Sequence, residues 1–585
     1  MESAAMTAKA EIREKAQSLL MMCMLALAVG VIGGIGAWLF RLLIGLLHNL
    51  FFLGKLAWGY DANAHTASNP WGTGIIVVPV LGALLVAWLV KTFAPEARGH
   101  GVPEVVDAIH YNGARIRPIV AAVKSLASAI CIGSGGAVGR EGPIIQIGSA
   151  FGSTLGQVMC VPARQRITLV AAGAAAGIAA TFNAPLGGIV FAIELLLISV
   201  NVWNLLPVAL STVTATYIGR ALLGTYPAFN IAPLRVDEFQ LGSPWLLLLF
   251  GPFGAVMGLA SVVFVKGIYW AEDRFESLPG NDYSRHACGM LLVGIMLCVM
   301  WQMTGRYHVE GIGYATIMDV LTGALTNPAF LLLLCGLKLT ATCLTLGSGG
   351  SGGVFSPALF LGATLGGVFG HVVSWLLPGI QIDVVAFVLA GMAAMIGAST
   401  GAMLTAAVML HEMTDDNNVV LPVIVTTMVA CGVRKFASPG SIYTLKLLRR
   451  GHVVPEGLQA ALDEARTVEH VMEKTFRIVD EAKGAGDTGA VSGVTIVGRE
   501  GRVVRVVHPF GSIGAASDHT DSGDEMFVIL GPGTPLVEAI REMQRAGAGC
   551  AVVFARADSD RVEDVAGVVT LRELSIYRTE LADLF

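Results

Sequence analysis

The sequence predicts an all-α polytopic membrane domain of tilted and broken helices, followed by a small α/β domain. Of the 585 residues, 54% are hydrophobic and only 14% are charged, and the mean hydropathy is +0.68. A water-soluble globular domain carries roughly 25% charged residues, so most of this chain belongs in a lipid bilayer. The composition changes near residue 449, where the chain becomes more charged and short strand-like runs begin.

The membrane domain is a series of apolar runs interrupted by glycine, proline and polar residues. Several runs are shorter than the roughly 20 residues that a bilayer span needs, and several contain Gly or Pro. This pattern predicts partial and broken helices rather than a regular bundle, and it leaves the number of spans open. The runs cover residues 19–47, 74–90, 167–200, 246–265, 290–300, 330–344, 384–409 and 419–431.

A glycine-rich segment occurs twice among these runs. The sequence GSGGAVGREGP at residues 133–143 recurs as GSGGSGGVFSP at residues 347–357. A chain that stops being helical at membrane depth must line a cavity and give its amide N–H groups to a partner. Because the N–H groups at a helix start attract negative charge, this duplicated break indicates an anion site.

The duplication extends beyond the glycine-rich segment. Two more pairs of blocks match in the same order and at a similar separation, and together they predict repeats at about 18–230 and 240–449. Duplicated halves of transporters commonly face opposite ways, with the substrate site between them. The matching blocks are 99–107 with 311–319, and 170–194 with 388–412.

Several other classes of protein are disfavoured by the sequence. Nine cysteines are scattered without a C-x-x-C pair, so neither a metal site nor a disulfide framework is predicted. No basic stripe with interleaved aromatic residues indicates nucleic acid. The run 347–352 formally matches G-x-G-x-x-G but lacks a βαβ context, and His411-Glu412 lacks the second histidine of H-E-x-x-H. We therefore predict no enzyme.

The motifs together resemble those of the CLC chloride channel and transporter family. The resemblance covers roughly residues 18–450. It implies a membrane-embedded homodimer with one chloride pathway per subunit, in the plasma (inner) membrane, without a cofactor. The motifs that carry it are GHGVPE at 99–104, GREGP at 139–143, G-x-F-x-P at 353–357, the late Tyr443, and NAPLGG at 183–188 continuing to Glu194.

The resemblance also implies roles for individual residues. Glu141 matches the gating glutamate of the family, although a structural pair with Arg140 is the plain alternative. For a lone tyrosine such as Tyr443, the alternative is an anchor at the membrane interface. The residues expected to hold a partly dehydrated anion through neutral donors are Gly99, His100, Gly101, Val354, Phe355 and Tyr443.

Two departures from the family pattern bear on function. His100 stands where the family commonly has serine, which puts the preference between chloride and nitrate in doubt. Leu195 follows Glu194, where proton-coupled bacterial members often have a second glutamate that relays protons. Because leucine cannot carry a proton, we expect channel-like chloride conduction. The alternative is a proton-coupled exchanger that uses another internal route.

Two intramembrane carboxylates, Glu194 and Glu412, lie at equivalent positions of the two repeats. Carboxylates at membrane depth are often functional. Their symmetry instead favours a shared structural role, such as accepting hydrogen bonds from exposed helix-end amides.

The C-terminal region, 450–585, resembles a CBS module. Its second repeat, at about 530–578, is recognisable, whereas the first, beginning near Thr467, is degenerate. Lys446, Arg449 and Arg450 at the membrane exit place this region in the cytoplasm by the positive-inside tendency. Thr570 and Glu573 match positions that approach an adenosine ligand in such modules. A purely structural tail, or a membrane protein whose main output is ligand sensing, are the alternatives.

Overall fold

The computed structural model divides the chain into two compact units, Met1–Leu458 and Gln459–Phe585. The predicted fold class is confirmed, because the first unit is helical and the second combines helices with two small sheets. The structure describes residues 2–225, 229, 245–379, 382–414, 419–452, 454, 467–474, 476–480, 494–499, 502–507, 527–534, 536–555 and 561–570.

The helices of the first unit occur in two series that follow the sequence repeats. Helices α3 to α8 correspond in order to α12 to α17. The first series is α1 (Glu2–Leu53), α2 (Val78–Phe93), α3 (Val102–Tyr111), α4 (Ile119–Gly133), α5 (Glu141–Val158), α6 (Ala163–Phe182), α7 (Pro185–Phe191) and α8 (Val202–Leu223). The second is α9 (Trp245–Leu248), α10 (Phe250–Ser277), α11 (Asp282–Thr304), α12 (Tyr314–Leu321), α13 (Pro328–Gly347), α14 (Phe355–Leu376), α15 (Val384–Thr400), α16 (Met403–Thr414), α17 (Val420–Ala437) and α18 (Thr444–Arg449).

Long and short helices alternate, as the interrupted apolar runs predict. In the described part of the chain, 9 helical segments are long and apolar enough to cross a membrane. Others, such as α3, α7 and α12, have ten residues or fewer and end inside the helical unit. Their ends place backbone N–H and C=O groups among buried side chains, where each needs a partner.

Glycine allows the central helices to touch along their backbones. A Cβ atom on Gly148 of α5 would lie 2.1 Å from the carbonyl oxygen of Gly173 on α6. In the second repeat, a Cβ atom on Gly362 of α14 would lie 2.4 Å from the carbonyl oxygen of Gly391 on α15. Small residues at such crossings are the usual means of packing membrane helices closely. This packing holds α5 against α6 and α14 against α15.

The second unit contains two sheets with the same strand arrangement. In each, the first two strands are parallel and the third is antiparallel to the second. One sheet has the order β1-β2-β3 and the other β4-β5-β6. The elements are β1 (Phe476–Asp480), β2 (Val494–Arg499), β3 (Arg502–Val507), β4 (Phe527–Leu530), α19 (Leu536–Ala546), β5 (Cys550–Phe554) and β6 (Val565–Thr570).

Candidate functional site

The glycine-rich segments of the two repeats meet in the centre of the helical unit. Gly139 and Gly353 exchange two backbone hydrogen bonds, with N–O distances of 2.8 and 2.6 Å. Beside them, the amide of Gly99 donates to the carbonyl of Gly350 at 3.0 Å. These contacts bring the starts of α3, α5 and α14 together. Since the first N–H groups of a helix have no acceptor within it, the arrangement favours negative charge.

Glu141 is the first residue of α5 and lies at this meeting point. Its side chain is buried, with 1% of its surface exposed. The Tyr314 hydroxyl donates to its Oε1 atom at 2.9 Å, and the Ser356 hydroxyl donates to the same atom. The Oε2 atom has no hydrogen-bond partner among the described residues, and a Cβ atom on Gly139 would lie 2.1 Å from it. The carboxylate is thus held on one side by two hydroxyls and enclosed by glycine backbone.

Arg140, the neighbour of Glu141, points elsewhere. Its guanidinium lies over the ring of Tyr314, with its central carbon 5.6 Å from the ring centroid. The described ion pairs do not join it to Glu141, and its Nε donor is buried without a partner. The contacts of the two side chains therefore do not support the structural Arg-Glu pair considered above.

His100 and Tyr443 come together from distant parts of the chain. Both are buried, and their ring centroids lie 5.9 Å apart. Tyr443 precedes α18, whereas His100 lies in the loop before α3. The Nδ1 atom of His100 has no hydrogen-bond partner among the described residues. Because buried polar atoms are usually paired, this orphaned ring nitrogen fits a place where a small ligand is held.

The other predicted anion ligands differ in whether their backbone amides are free to bind an anion. Val354 immediately precedes α14 and Phe355 is its first residue, so both amides lie where a helix has free donors. Gly101 immediately precedes α3 in a left-handed conformation, with φ of 86°. The Gly99 amide, by contrast, already donates to Gly350, and its carbonyl accepts from Lys124 at 2.7 Å. Gly99 therefore pairs backbone segments here and does not offer a free amide.

An ion-pair cluster links the helix that follows His100 to the helix that follows Tyr443. Arg450 donates to both carboxylate oxygens of Glu104 on α3, at 2.8 and 3.0 Å, and Lys446 of α18 lies 3.3 Å from it. Burial alone would raise the pKa of Glu104, but the bonds from Arg450 and Lys446 hold that pKa below its ordinary value. Lys446 is therefore paired with Glu104 and is not a free positive charge beside His100 and Tyr443.

A cavity of about 220 Å³ opens beside Tyr314 and Arg140. Its wall also contains Arg41 and Arg220, and Asp61 is the acidic residue among its lining. Three arginines against one aspartate make this cavity attractive to anions.

The structure confirms the predicted structural role of the paired carboxylates. Glu194 accepts from the amides of Leu404 and Thr405 at the start of α16, at 3.1 and 2.8 Å. Glu412 accepts from the amides of Leu186 and Gly187 at the start of α7, at 2.9 and 2.6 Å. Each carboxylate therefore caps a helix of the opposite repeat.

Two functional candidates were missed by the sequence analysis. Tyr314 and Ser356 both donate to Glu141, but they lie 173 and 215 residues from it in the chain. The alignment of the two repeats could have identified them. Tyr314 and Ser356 are polar, whereas the equivalent residues of the first repeat, Val102 and Gly142, have no polar side chain. A polar residue in only one repeat therefore points to a local function.

The remaining predicted residues lie elsewhere. Leu195 lies on a short π-helical turn, Ala192–Leu196, and is partly buried. Thr570 is the last residue of β6 and is buried. Glu573 lies outside the described residues.

Comparisons with known proteins identify the relatives of this chain. A family model described as "Voltage gated chloride channel" matches residues 82–435. The H(+)/Cl(-) exchange transporter ClcA of Vibrio parahaemolyticus serotype O3:K6 is 34% identical over 397 residues, which are 65% of this chain and 80% of ClcA. ClcA of Yersinia pseudotuberculosis serotype IB is 31% identical over 394 residues, which are 66% of this chain and 80% of that protein.

Two solved structures share the fold. A slow cyanobacterial Cl-/H+ antiporter aligns with a TM-score of 0.63 at 23% identity, covering 73% of this chain and 97% of its own. A eukaryotic CLC transporter aligns with a TM-score of 0.62 at 19% identity, covering 95% of this chain and 98% of its own. At these identities the structures support the fold alone. The family model matches more than half of the chain, and the ClcA relatives are 34% and 31% identical to it. The chain therefore belongs to the CLC family.

Proposed function

We propose that this protein exchanges chloride for protons across the membrane. The observation that carries the proposal is the position of Glu141. Its buried carboxylate lies where the N-termini of α5 and α14 meet, and two hydroxyls bind it. An ionised carboxylate and a chloride ion are alternative occupants of such a place, because both are anions that accept hydrogen bonds.

The exchange follows from this competition. When Glu141 is ionised, its carboxylate takes the position that attracts an anion and closes the path. When it is protonated, its attraction to the helix starts weakens, and the side chain can leave Tyr314 and Ser356. Chloride then enters the same place. Glu141 thus excludes chloride when it is ionised, and it carries a proton when it admits chloride.

Neutral donors suit the transported anion. The amides of Val354 and Phe355, the ring of His100 and the hydroxyl of Tyr443 offer hydrogen bonds without a full charge. Such donors replace part of the hydration shell of chloride yet allow its release, whereas a free lysine or arginine would hold it too firmly. The arginines that line the cavity beside Tyr314 attract anions towards the path.

The expectation of channel-like conduction is not supported. It rested on Leu195, but the ClcA relatives are named exchange transporters. Leucine still cannot carry a proton, so the internal proton route to Glu141 must use groups other than residue 195.

We also propose the predicted arrangement of the whole protein. Residues 1–449 would form the transport domain of a homodimer in the plasma membrane, and 450–585 a CBS-like domain in the cytoplasm. The basic residues Lys446, Arg449 and Arg450 at the membrane exit support this orientation. Protease treatment of right-side-out and inverted vesicles tests it, because the tail should be cleaved only in the inverted ones.

Paired flux measurements test the exchange. Liposomes with the full-length protein are loaded with high chloride and diluted into low chloride, with valinomycin and potassium clamping the voltage. We expect chloride efflux together with proton uptake, which protein-free liposomes lack. Chloride efflux without proton uptake would identify a channel, and the absence of both would overturn chloride transport.

A further inference from the structure

Three potential metal ligands cluster away from the Glu141 site. They are His65, in the segment 54–71 between α1 and α2, His308, in the loop before α12, and Asp319, on α12. One ligand atom from each lies within 4.8 Å of the others. The Nε2 atom of His65 is 2.7 Å from an oxygen of Asp319. Residues 254 positions apart in the chain therefore converge on one point.

The surroundings prepare His308 to act as a ligand. The hydroxyl of Thr316 donates to the carbonyl oxygen of His308 at 2.9 Å, so this hydroxyl can only accept from the ring Nδ1, which lies 3.2 Å away. The proton of the neutral ring is therefore on Nδ1, and Nε2 keeps its lone pair. A second hydrogen bond of this kind is what orients metal-binding histidines in proteins. Phe330 contacts the ring edge to face and restricts it further.

We propose that His65, His308 and Asp319 bind a Zn²⁺-like divalent cation. Two imidazoles and one carboxylate suit zinc, which is tetrahedral and takes water as its fourth ligand. Magnesium and calcium prefer oxygen ligands and fit the set poorly. His308 is buried, while the side chains of His65 and Asp319 are 19% and 18% exposed, so a cation can enter from the solvent side.

The first repeat provides a natural comparison. Asp107 is the repeat equivalent of Asp319, and it also pairs with a histidine, His452, at 2.5 Å. The position equivalent to His308 is Glu96, which binds Arg117 instead. The first repeat thus contains a His-Asp pair without a third ligand from that position.

One neighbour competes with the cation. Arg306 lies 3.1 Å from the same oxygen of Asp319, and its side chain is 51% exposed. It can therefore swing into solvent when a cation binds. Removing its charge should strengthen binding, which a purely structural His-Asp-Arg contact would not predict.

A bound cation would connect the cavity wall to the helix that contacts Glu141. The segment 54–71 contributes Asp61 and Asn63 to the cavity beside Tyr314. Asp319 lies on α12, and Tyr314 at the start of that helix donates to Glu141. The cation would tether these two parts, so we expect it to slow transport. This consequence rests on the proposed function, but binding itself does not.

Titration of the full-length protein in detergent tests the site. We expect saturable binding of one Zn²⁺ per chain by calorimetry, and visible Co²⁺ absorption typical of tetrahedral coordination. His65→Ala and Asp319→Asn should weaken binding by roughly tenfold or more, since even loss of an outer-shell partner has effects of that size. Arg306→Gln should strengthen it, and Asp107→Asn, the matched control, should leave it unchanged.

The possible outcomes test the cation site separately from its proposed effect on chloride transport. Absence of saturable binding, equal affinity in His65→Ala and wild type, or equal affinity for Mg²⁺ and Zn²⁺ would overturn the site. In liposomes, Zn²⁺ on both faces should slow chloride flux in wild type and not in His65→Ala. Unchanged flux at saturating Zn²⁺ would overturn the tether, and a protein that binds Zn²⁺ but moves no chloride would overturn the transport proposal alone.

Discussion

The two repeats of the membrane unit share a scaffold down to individual hydrogen bonds. Lys124 in the first repeat and Lys338 in the second are both buried. Lys124 donates to the carbonyls of Ala97 and Gly99 at 3.0 and 2.7 Å. Lys338 donates to the equivalent carbonyls of Val309 and Gly311 at 3.0 and 2.6 Å. Each lysine therefore fixes the loop before α3 or α12.

The repeats differ where the chemistry is. Glu141 opens α5, whereas the equivalent residue at the start of α14 is Phe355. Ser356, which donates to Glu141, is equivalent to Gly142. The loop before α3 contributes His100, and the equivalent residue in the second repeat is Ile312.

This difference separates two kinds of polar residue. Those present in both repeats, such as the lysines and the capping glutamates, satisfy backbone groups that broken helices expose. Glu141, Tyr314, Ser356 and His100, which are each present in only one repeat, lie at the proposed anion path. The residues shared by the two repeats therefore stabilise the scaffold, and the residues found in only one repeat form the proposed anion site.

The largest effect on stability is expected from the buried lysines. Replacing Lys124 or Lys338 with Met removes two hydrogen bonds to buried carbonyl groups. Ser351 and the amide of Gly352 still donate to Ala97 and Gly99, whereas the described residues offer no second donor to Val309 and Gly311. A hydrogen bond to a charged group typically contributes about 1.5–3 kcal/mol to stability. Thermal unfolding in detergent should show a loss of stability for both variants, and the loss should be larger for Lys338→Met. An unchanged stability in Lys338→Met, or a larger loss in Lys124→Met, would contradict this account of the two lysines.

The capping glutamates should have smaller effects of unequal size. Glu194 accepts three hydrogen bonds, including one from the Thr405 hydroxyl, whereas Glu412 accepts two. A buried donor left unpaired costs about 1–3 kcal/mol. We expect Glu194→Ala to lower the unfolding temperature more than Glu412→Ala, while neither abolishes the pH dependence of chloride flux. Loss of that dependence in Glu194→Ala would assign the residue to proton transfer instead.

The anion ligands should change affinity modestly. His100→Ser and Tyr443→Phe each remove or alter one neutral hydrogen bond, which corresponds to about 1 kcal/mol, or roughly fivefold in affinity. Calorimetric titrations with chloride and nitrate should show weaker binding in Tyr443→Phe and an altered anion preference in His100→Ser. Titrations that match wild type for both anions would place these side chains outside the site.

The smallest expected effect concerns the tail. Thr570 ends β6, and the CBS resemblance predicts that its hydroxyl approaches an adenine nucleotide. If the tail binds ATP or AMP, Thr570→Ala in the full-length protein should weaken that binding by about fivefold, the value of one neutral hydrogen bond. Saturable binding measured by calorimetry is the test. Absence of binding at millimolar nucleotide would leave the tail as a structural element.

Local patterns in the sequence predicted the fold and part of the site. Composition revealed the membrane domain because the bilayer excludes charge, and the repeats revealed the capping glutamates because they recur at a constant separation. Glu141 has no acidic counterpart in the second repeat and was predicted from the resemblance of the GREGP motif to the family pattern. Tyr314 and the cluster of His65, His308 and Asp319 were not predicted. Their contacts join segments far apart in the chain, and no spacing rule connects such residues.

The most direct test of the account is the pH dependence of chloride flux in Glu141→Gln. Gln resembles the protonated glutamate in shape but cannot release a proton. In liposomes we predict that the variant moves chloride at a rate independent of pH and without proton uptake. Phe355→Leu, changed at the equivalent position of the other repeat, should remain pH-dependent and coupled. Proton uptake or wild-type pH dependence in folded Glu141→Gln would contradict the account.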